Sequence, residues 1–98
     1  DRLRKGMSDE NPLVRIQMAR ALIHSNHCDQ ALNTIVEELK NSDSWIRLYA
    51  ALVLDEIGEK AKPAISDLKS VMSDTNKYVV RVANHALNKL LGIDNRVK

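Results

Sequence analysis

The fold is decided by the stretch Trp45-Ile46-Arg47-Leu48-Tyr49-Ala50-Ala51-Leu52-Val53-Leu54, in which Arg47 is the only charged residue. Apolar residues recur here and just beyond at the spacing of one helix face; they are Ile46, Ala50, Val53, Leu54 and Ile57. A helix that is apolar nearly all round must be covered on several sides. The sequence therefore predicts a central helix over residues 43–57, with 45–54 enclosed by neighbouring helices.

Two further segments repeat this stretch. Residues 13–22 precede it by 32 positions, and residues 78–87 follow it by 33 positions. A short polar segment comes before each copy, and each contains an aspartate; these are Asp9, Asp43 and Asp74. Self-similarity at such a period is typical of helical repeat proteins, in which each repeat buries its apolar face against its neighbours.

Amphipathic periodicity and turn residues divide the chain into helices. We expect helices over 11–24, 28–40, 43–57, 60–72 and 76–91, after a partial helix near 1–7. Asn11 and one of residues 42–44 are suitable N-caps. Gly58 and Gly92 are suitable for ending helices in left-handed turns, and Pro63 falls in a first turn, where proline is tolerated.

The predicted fold class is all-α, a right-handed α-solenoid of about five helices plus the partial N-terminal one. A single domain is expected over residues 1–98. Its repeats are expected near 8–40, 41–72 and 73–92, with the end of a preceding helix at 1–7 and a tail at 93–98. Because the chain begins with Asp1 and not with Met, we expect the parent protein to continue upstream.

The third copy differs from the first two in one polar stripe. Arg81, Asn84, His85 and Asn88 recur at helical spacing, whereas the equivalent positions of the inner copies are mostly apolar. A terminal repeat needs a polar outer face because nothing stacks on it. We therefore expect the final helix to cap the stack, with this stripe facing solvent.

One position of the repeat is filled by large apolar or aromatic residues in all three copies. These residues are Leu13, Trp45 and Tyr78. A ligand-binding aromatic is not expected to recur in register with the fold, whereas a packing residue is. We therefore predict that this position packs between layers.

Charge placement argues against a nucleic-acid binder. The net charge is +2, and basic residues gather at the two ends; they are Arg2, Arg4, Lys5, Arg96 and Lys98. The body between residues 7 and 92 is close to neutral and shows no basic stripe of the kind that nucleic acids attract. The sequence has no run of about 18 apolar residues, so no membrane span is predicted. The single cysteine excludes an internal disulfide.

No set of residues in the sequence forms a catalytic, cofactor or metal site. The only cluster of metal-ligand residue types lies in a predicted turn with no second cluster opposite, and we interpret it as a polar loop; it comprises His24, His27, Cys28 and Asp29. His85 has no nucleophile or orienting carboxylate at helical spacing, so we expect an exposed residue rather than a general base. The prediction is a chain without enzymatic activity or cofactors.

The order of an aspartate, a Val/Ile-Arg pair and an Ala-rich helix ending in Ile-Gly resembles HEAT repeats, specifically the short bacterial type first named for phycobilisome lyases. The segment 58–65, followed by Asp67 and Leu68, is similar to the linker and second helix of that repeat. The resemblance covers residues 7–92. It implies a non-catalytic scaffold, the C-terminal part of a larger bacterial protein, that binds a protein partner or an upstream domain of the same chain.

The resemblance also implies roles for two sets of residues. In HEAT repeats the arginine after the Val/Ile commonly pairs with the aspartate of an adjacent turn; the ladder would comprise Arg15, Asp43, Arg47 and Asp74. Val80 takes the arginine position in the third copy, so the ladder is expected to end or change course there. The second helices of such repeats line the concave face; the candidate interaction face comprises Asn33, Glu37, Lys40, Lys62, Ser66 and Lys69.

Two alternatives from other function classes stay open. Segments 55–58 and 78–82 also look like the HEAT-like extensions at the C-termini of some bacterial sulfatases. That likeness implies a periplasmic or extracellular accessory domain contacting a catalytic domain or a polyanionic substrate. The residues after Cys28 do not match the sulfatase nucleophile motif, so any catalysis would lie elsewhere. Nucleic-acid binding ranks last because acidic neighbours dilute the lysines of the candidate face.

Overall fold

The computed structural model describes residues 10–25 and 28–93, with the backbone alone at 28 and 29, and within these ranges the chain is helical with no strand. The α-helices are α1 (Pro12–His24), α2 (Cys28–Glu38), α3 (Ser44–Ile57), α4 (Ile65–Ser70) and α5 (Lys77–Leu91). Two 3-10 helices, Gly58–Ala64 and Val71–Ser73, flank α4. The predicted all-α class is confirmed. The helix expected near 1–7 and the tail after residue 93 lie outside the described residues.

The three long helices begin with the same hydrogen-bonded cap. A side-chain oxygen of the N-cap residue accepts the backbone N–H two positions later, at 2.9 Å in each helix. The N-caps are Asn11 for α1, Asp43 for α3 and Asn76 for α5. Such a bond satisfies one of the amide groups that a helix start leaves without a partner. The Asn11 cap was predicted, and Asp43 is the one used of the three candidates 42–44.

The helices form two layers. Helices α1, α3 and α5 pack side by side as the A layer. Helix α2 and the segment 58–73 form the B layer, with α2 against α1 and α3, and the segment against α3, α5 and α2. The molecule measures 42 × 27 × 16 Å along its principal axes. The shortest dimension fits two helix layers about 8–10 Å apart.

The core lies between the two layers and between neighbouring helices of the A layer. Its largest fully buried side chains are Ile16, Ile23, Ile35, Leu54, Leu68 and Val79. Alanines fill the close contacts between helices; those with no exposed surface are Ala19, Ala31, Ala50, Ala51, Ala61, Ala64 and Ala83. The stripe predicted for α3 is confirmed, because Ile46, Ala50, Val53, Leu54 and Ile57 are all buried.

The prediction that residues 45–54 are enclosed is wrong for one face of α3. Trp45 is 65% exposed and Leu52 is 46% exposed. The predicted packing role of the equivalent positions is also wrong, because Leu13 is 41% exposed and Tyr78 is 49% exposed. In a two-layer stack, neighbours cover the sides of an A-layer helix and the B layer covers its inner face. The outer face stays open whatever residues it carries.

The helix predicted over 60–72 is broken into three shorter pieces. Residues 58–64 and 71–73 are 3-10 helices, and only Ile65–Ser70 is α-helical. Pro63 lacks an N–H for an α-helical hydrogen bond and disfavours α-helical geometry at Lys62. Gly58 ends α3 with φ 63° and ψ −129°, whereas Gly92 ends α5 in the left-handed helical conformation that was predicted for both.

Replacing Gly58 with alanine is expected to lower the free energy of unfolding by about 1–3 kcal/mol. No atom lies within 4 Å of the place a Cβ would take, so the cost is backbone strain alone. Gly92→Ala is the matched control, since a left-handed helical φ and ψ of 65° and 35° is less costly for alanine. Urea denaturation measures both, and equal losses would contradict the expectation.

Candidate interaction surfaces

Arg47 joins the start of α3 to the turn that precedes α5. Its Nε and Nη2 donate to the two carboxylate oxygens of Asp74 at 2.7 and 3.1 Å. Its Nη1 donates to the carbonyl oxygens of Asn41 at 2.8 Å and Ser42 at 3.2 Å. The two side chains are only 16% and 7% exposed. This geometry is the two-bond pairing that makes Arg–carboxylate contacts strong and directional.

Arg15 pairs with Glu38 rather than with the Asp43 expected from the family pattern. The Nε and Nη2 of Arg15 lie 2.9 and 3.1 Å from the two Glu38 oxygens. Asn41 adds a third donor to Glu38 at 3.2 Å. Asp43 instead accepts the Trp45 N–H as the cap of α3. Glu38, the last residue of α2, brings its carboxylate to Arg15 from the adjacent B-layer helix.

Both carboxylates in these pairs are held ionised. The hydrogen bond from Arg47 lowers the pKa of Asp74 against the opposing effect of burial, with help from the Asn76 N–H and the charge of Arg47. Burial acts to raise the pKa of Glu38. Hydrogen bonds from Arg15 and Asn41, together with the charge of Arg15, outweigh burial, so that the pKa of Glu38 also lies below its usual value.

Acid is therefore expected to destabilise the fold through Glu38 and Asp74. Their folded-state pKa values lie below the unfolded values of about 4.3 and 3.9. A depressed folded pKa contributes stability above the unfolded pKa, and that stability is lost as pH falls through the folded pKa. We expect the contribution of these two groups to the free energy of unfolding to be constant near neutral pH and to fall below about pH 5. Urea denaturation at a series of pH values measures it.

Asp74→Asn is the variant that isolates one of these carboxylates. It is expected to be less stable at neutral pH and to lose less of its remaining stability on acidification. Asp67→Asn is the matched control, because among the described side chains Asp67 forms no ion pair with an arginine. An acid limb of the same steepness in Asp74→Asn and the unmodified chain would contradict the assignment.

A second row of charged contacts crosses the A layer near the C-terminal ends of its helices. Arg20 of α1 pairs with Glu56 of α3 through both carboxylate oxygens. Asp55 of α3 receives His85 Nδ1 at 2.8 Å and Lys89 Nζ at 3.3 Å. The orienting carboxylate that His85 lacks at helical spacing therefore comes from another helix. His85 is nevertheless an exposed residue, with its side chain 65% exposed.

Two lysines bind helix ends in the same way. Lys60 Nζ donates to the carbonyl oxygen of Ile23 at 3.1 Å, near the end of α1. Lys89 Nζ donates to the carbonyl oxygen of Asp55 at 2.8 Å, near the end of α3. A cation there satisfies a terminal carbonyl and opposes the negative end of the helix dipole. Sequence analysis missed these contacts because partners lie 34 to 37 positions apart.

The polar stripe of the final helix is only partly a solvent-facing cap. Arg81 and His85 are exposed as predicted. Asn84, however, is 8% exposed, and Asn88 is half-buried. The position of Asn84 belongs to the core, since its equivalents Ala19 and Ala51 have no exposed surface. Both asparagines make polar contacts within the structure.

The six residues of the candidate interaction face are all exposed on the B layer. Asn33 and Glu37 lie on α2, and Lys40 follows that helix. Lys62 lies on the 3-10 helix 58–64, and Ser66 and Lys69 lie on α4. We call these six residues the B-layer surface. Its mixed charge and small polar groups provide hydrogen-bonding and ionic contacts, and no reactive group.

The described residues contain no group of three or more His, Cys, Asp or Glu side chains placed to bind a metal ion. His24, at the end of α1, is exposed. His27 and the side chains of Cys28 and Asp29 lie outside the described residues, so the polar-loop interpretation of that cluster stays a prediction. In the part of the chain that the structure describes, every helix is too short or too polar to cross a membrane.

A family model described as HEAT repeats matches residues 1–88, a span that includes α1 to α4 and most of α5. Comparison with curated proteins and with solved structures gives no match.

Proposed function

Because this chain belongs to the HEAT-repeat family, we propose that it is a non-catalytic scaffold that binds a protein partner, or another domain of its own chain, through the B-layer surface. Members of this family commonly serve as protein-interaction scaffolds. The observation that carries the proposal is the exposure of all six B-layer residues on one layer of a helical stack. The same proposal includes one domain over residues 1–98, whose repeats cover residues 8–40, 41–72 and 73–92.

The charged groups of the B-layer surface differ from several on the A layer in having no internal ion-pair partner among the described residues, and this difference supports the proposal. On the A layer, Arg20, Asp55 and Glu56 are paired with side chains of neighbouring helices. Within the described residues, none of the charged groups of the B-layer surface forms an ion pair. Charges that stabilise no internal contact are available to a partner, and complementary charges give specificity and speed of association.

Charge reversal on the B-layer surface tests the proposal. A partner captured with the unmodified chain would be identified, purified and titrated against Lys62→Glu and Glu37→Lys. We expect the Kd to rise about tenfold or more for the reversal at the centre of the contact. Arg81→Glu, an exposed charge reversal on α5 of the A layer, is the matched control. Equal affinity for all variants, or hydrolase or lyase activity of the isolated chain, would reject the proposal.

A finer version concerns the parent protein. The likeness of segments 55–58 and 78–82 to sulfatase C-terminal extensions supports an accessory role beside a sulfatase-like hydrolase, with the basic ends of the chain contacting a polyanionic substrate. Under this version, removal of residues 1–5 and 93–98 abolishes retention on a heparin column. Retention that is unchanged by the truncation, or absent from the start, would count against it. The encoded sequence upstream of Asp1 would test it most simply.

A further inference from the structure

A row of apolar side chains on the A layer faces solvent. Trp45 and Leu52 are 65% and 46% exposed, and Tyr49 between them is half-buried. The three are spaced i, i+4 and i+7, so they lie on one face of α3. Leu13 on α1 and Tyr78 on α5 hold the repeat position of Trp45 and are also exposed. We call these five residues the A-layer patch.

An exposed helix face is expected to carry polar residues, and the patch does not. The corresponding outer face of α1 continues after Leu13 with polar residues; these are Gln17, Arg20 and His24. Contiguous exposed apolar surface on a folded protein marks sites of interaction. Trp and Tyr are enriched at the centres of protein interfaces and among the residues that contribute most to affinity. The aromatic members of the patch are therefore suited to anchor a partner.

The border of the patch on α5 is basic. Lys77 and Arg81 are exposed, and α5 contains neither Asp nor Glu. Within the described part of the chain, neither of the two forms an ion pair with a carboxylate. Lys77 Nζ lies 5.8 Å from the centre of the Tyr78 ring, so this cation sits over the patch itself. The side chains of Arg20, His85 and Lys89, in contrast, contact Glu56 and Asp55.

We propose that the A-layer patch binds an acidic amphipathic helix of a partner protein. The apolar face of the partner's helix would pack along Trp45, Tyr49 and Leu52, whose spacing along α3 matches the ridges by which two helices pack. Its carboxylates would pair with Lys77 and Arg81. The site is separate from the B-layer surface, so it does not depend on the function proposed above.

A second copy of this chain does not supply the matching chemistry. In a two-fold symmetric dimer formed through this patch, Lys77 and Arg81 would face either the α5 or the α1 of the partner copy. Neither helix contains an acidic residue, and the exposed Glu10 just before α1 is a single carboxylate against two cations. Such a contact would place like charges together, which is destabilising. The charge pattern therefore favours an acidic partner over self-association.

An NMR titration of the whole chain with synthetic peptides tests this proposal. The probe is an amphipathic peptide with leucines at i, i+4 and i+7 and glutamates elsewhere, and its control carries lysines in place of the glutamates. We expect the Trp45 indole signal and the amides of α3 and α5 to shift with the acidic peptide and not with the basic one. Trp45→Ala and Arg81→Glu are each expected to raise the Kd about tenfold or more.

Lys62→Glu, a charge reversal on the B layer, is the matched control and is expected to leave the Kd unchanged. Circular dichroism on each variant verifies that the helices are retained. Several outcomes would overturn the proposal: no shift at millimolar peptide, shifts confined to the B layer, equal binding of both peptides, or an Arg81→Glu variant that binds as well as the unmodified chain. Shifts of the patch with protein concentration alone would assign it to self-association. Shifts of α5 with heparin, and none with the acidic peptide, would assign it to a polyanion.

Discussion

Replacing Leu54 with alanine is expected to lower the free energy of unfolding by about 3 kcal/mol, within the 2–5 kcal/mol found for leucines in packed cores. The side chain has no exposed surface and lies in the core on the inward face of α3. Its truncation removes buried apolar atoms and leaves a cavity, and both effects act in the same direction. A domain of this size has a net stability of only about 5–15 kcal/mol, so the loss is a large fraction of the total. Urea denaturation followed by circular dichroism measures it.

Leu52→Ala provides the matched control two positions away on the same helix. This leucine is 46% exposed, so its truncation is expected to cost well under 1 kcal/mol. Both variants remove the same atoms and insert the same residue, which leaves burial as the difference between them. Equal losses for the two variants would show that α3 is covered on both faces, contrary to the structure.

Replacing Arg47 with methionine is expected to cost about 2–3 kcal/mol. Methionine keeps most of the volume and removes the guanidinium, so the Asp74 carboxylate, only 7% exposed, loses both of its charged hydrogen bonds. The carbonyl oxygens of Asn41 and Ser42 lose their donor at the same time. Breaking a fully buried pair costs about 3–5 kcal/mol. The expected value is smaller because Arg47 is 16% exposed and water can reach part of the site.

Arg81→Met on α5 is the control, because it makes the same arginine-to-methionine change on another helix of the A layer. Arg81 is exposed and pairs with no carboxylate among the described residues, so its replacement is expected to change stability by less than about 0.5 kcal/mol. A double-mutant cycle of Arg47→Met with Asp74→Asn then isolates the coupling between the two groups. A coupling energy near zero would contradict the role assigned to the pair.

The helices and the inward face of each were predictable from local information. Apolar spacing along 45–57 identified the buried stripe of α3, and Asn11 was recognised as a cap because its side chain bonds a backbone group two positions away. Both signals act within one or two turns of helix.

The segment 60–72 was harder to predict, because an amphipathic pattern does not distinguish a continuous α-helix from a broken one. Pro63 and Gly58 decided the outcome.

The exposure of Trp45 and Leu52 was not predictable from hydrophobicity alone. The residue type determines how much free energy burial of the side chain would contribute. Whether the side chain is buried depends on whether another layer is present on that side. The repeat provides a layer only on one side of α3, so an apolar outer face remains open. The recurrence of Leu13, Trp45 and Tyr78 in register therefore marked a shared surface position rather than a packing position.

The second row of charged contacts and the partner of Arg15 escaped sequence analysis for a related reason, whereas the Arg47–Asp74 pair was expected from the family pattern. Glu38, the partner of Arg15, lies 23 positions away and on a different helix. A usable signal was nevertheless present, because the central repeat carries Asp55 and Glu56 and the adjoining repeats carry basic residues nearby. Lys89 holds the position equivalent to Glu56, and Arg20 and His85 both hold the position equivalent to Leu52, about one helical turn earlier. Comparing charges between neighbouring repeats, rather than within one helix, would have indicated these contacts.

Fluorescence of Trp45 tests most directly the claim that the outer face of the central helix is open to solvent. Trp45 is the only tryptophan in the chain, so the signal belongs to this residue alone. At 65% exposure, the folded protein is expected to show emission close to that of tryptophan in water, ready quenching by iodide, and little change of wavelength on unfolding. A blue-shifted emission protected from iodide, which moves to the red only when urea unfolds the chain, would contradict the account.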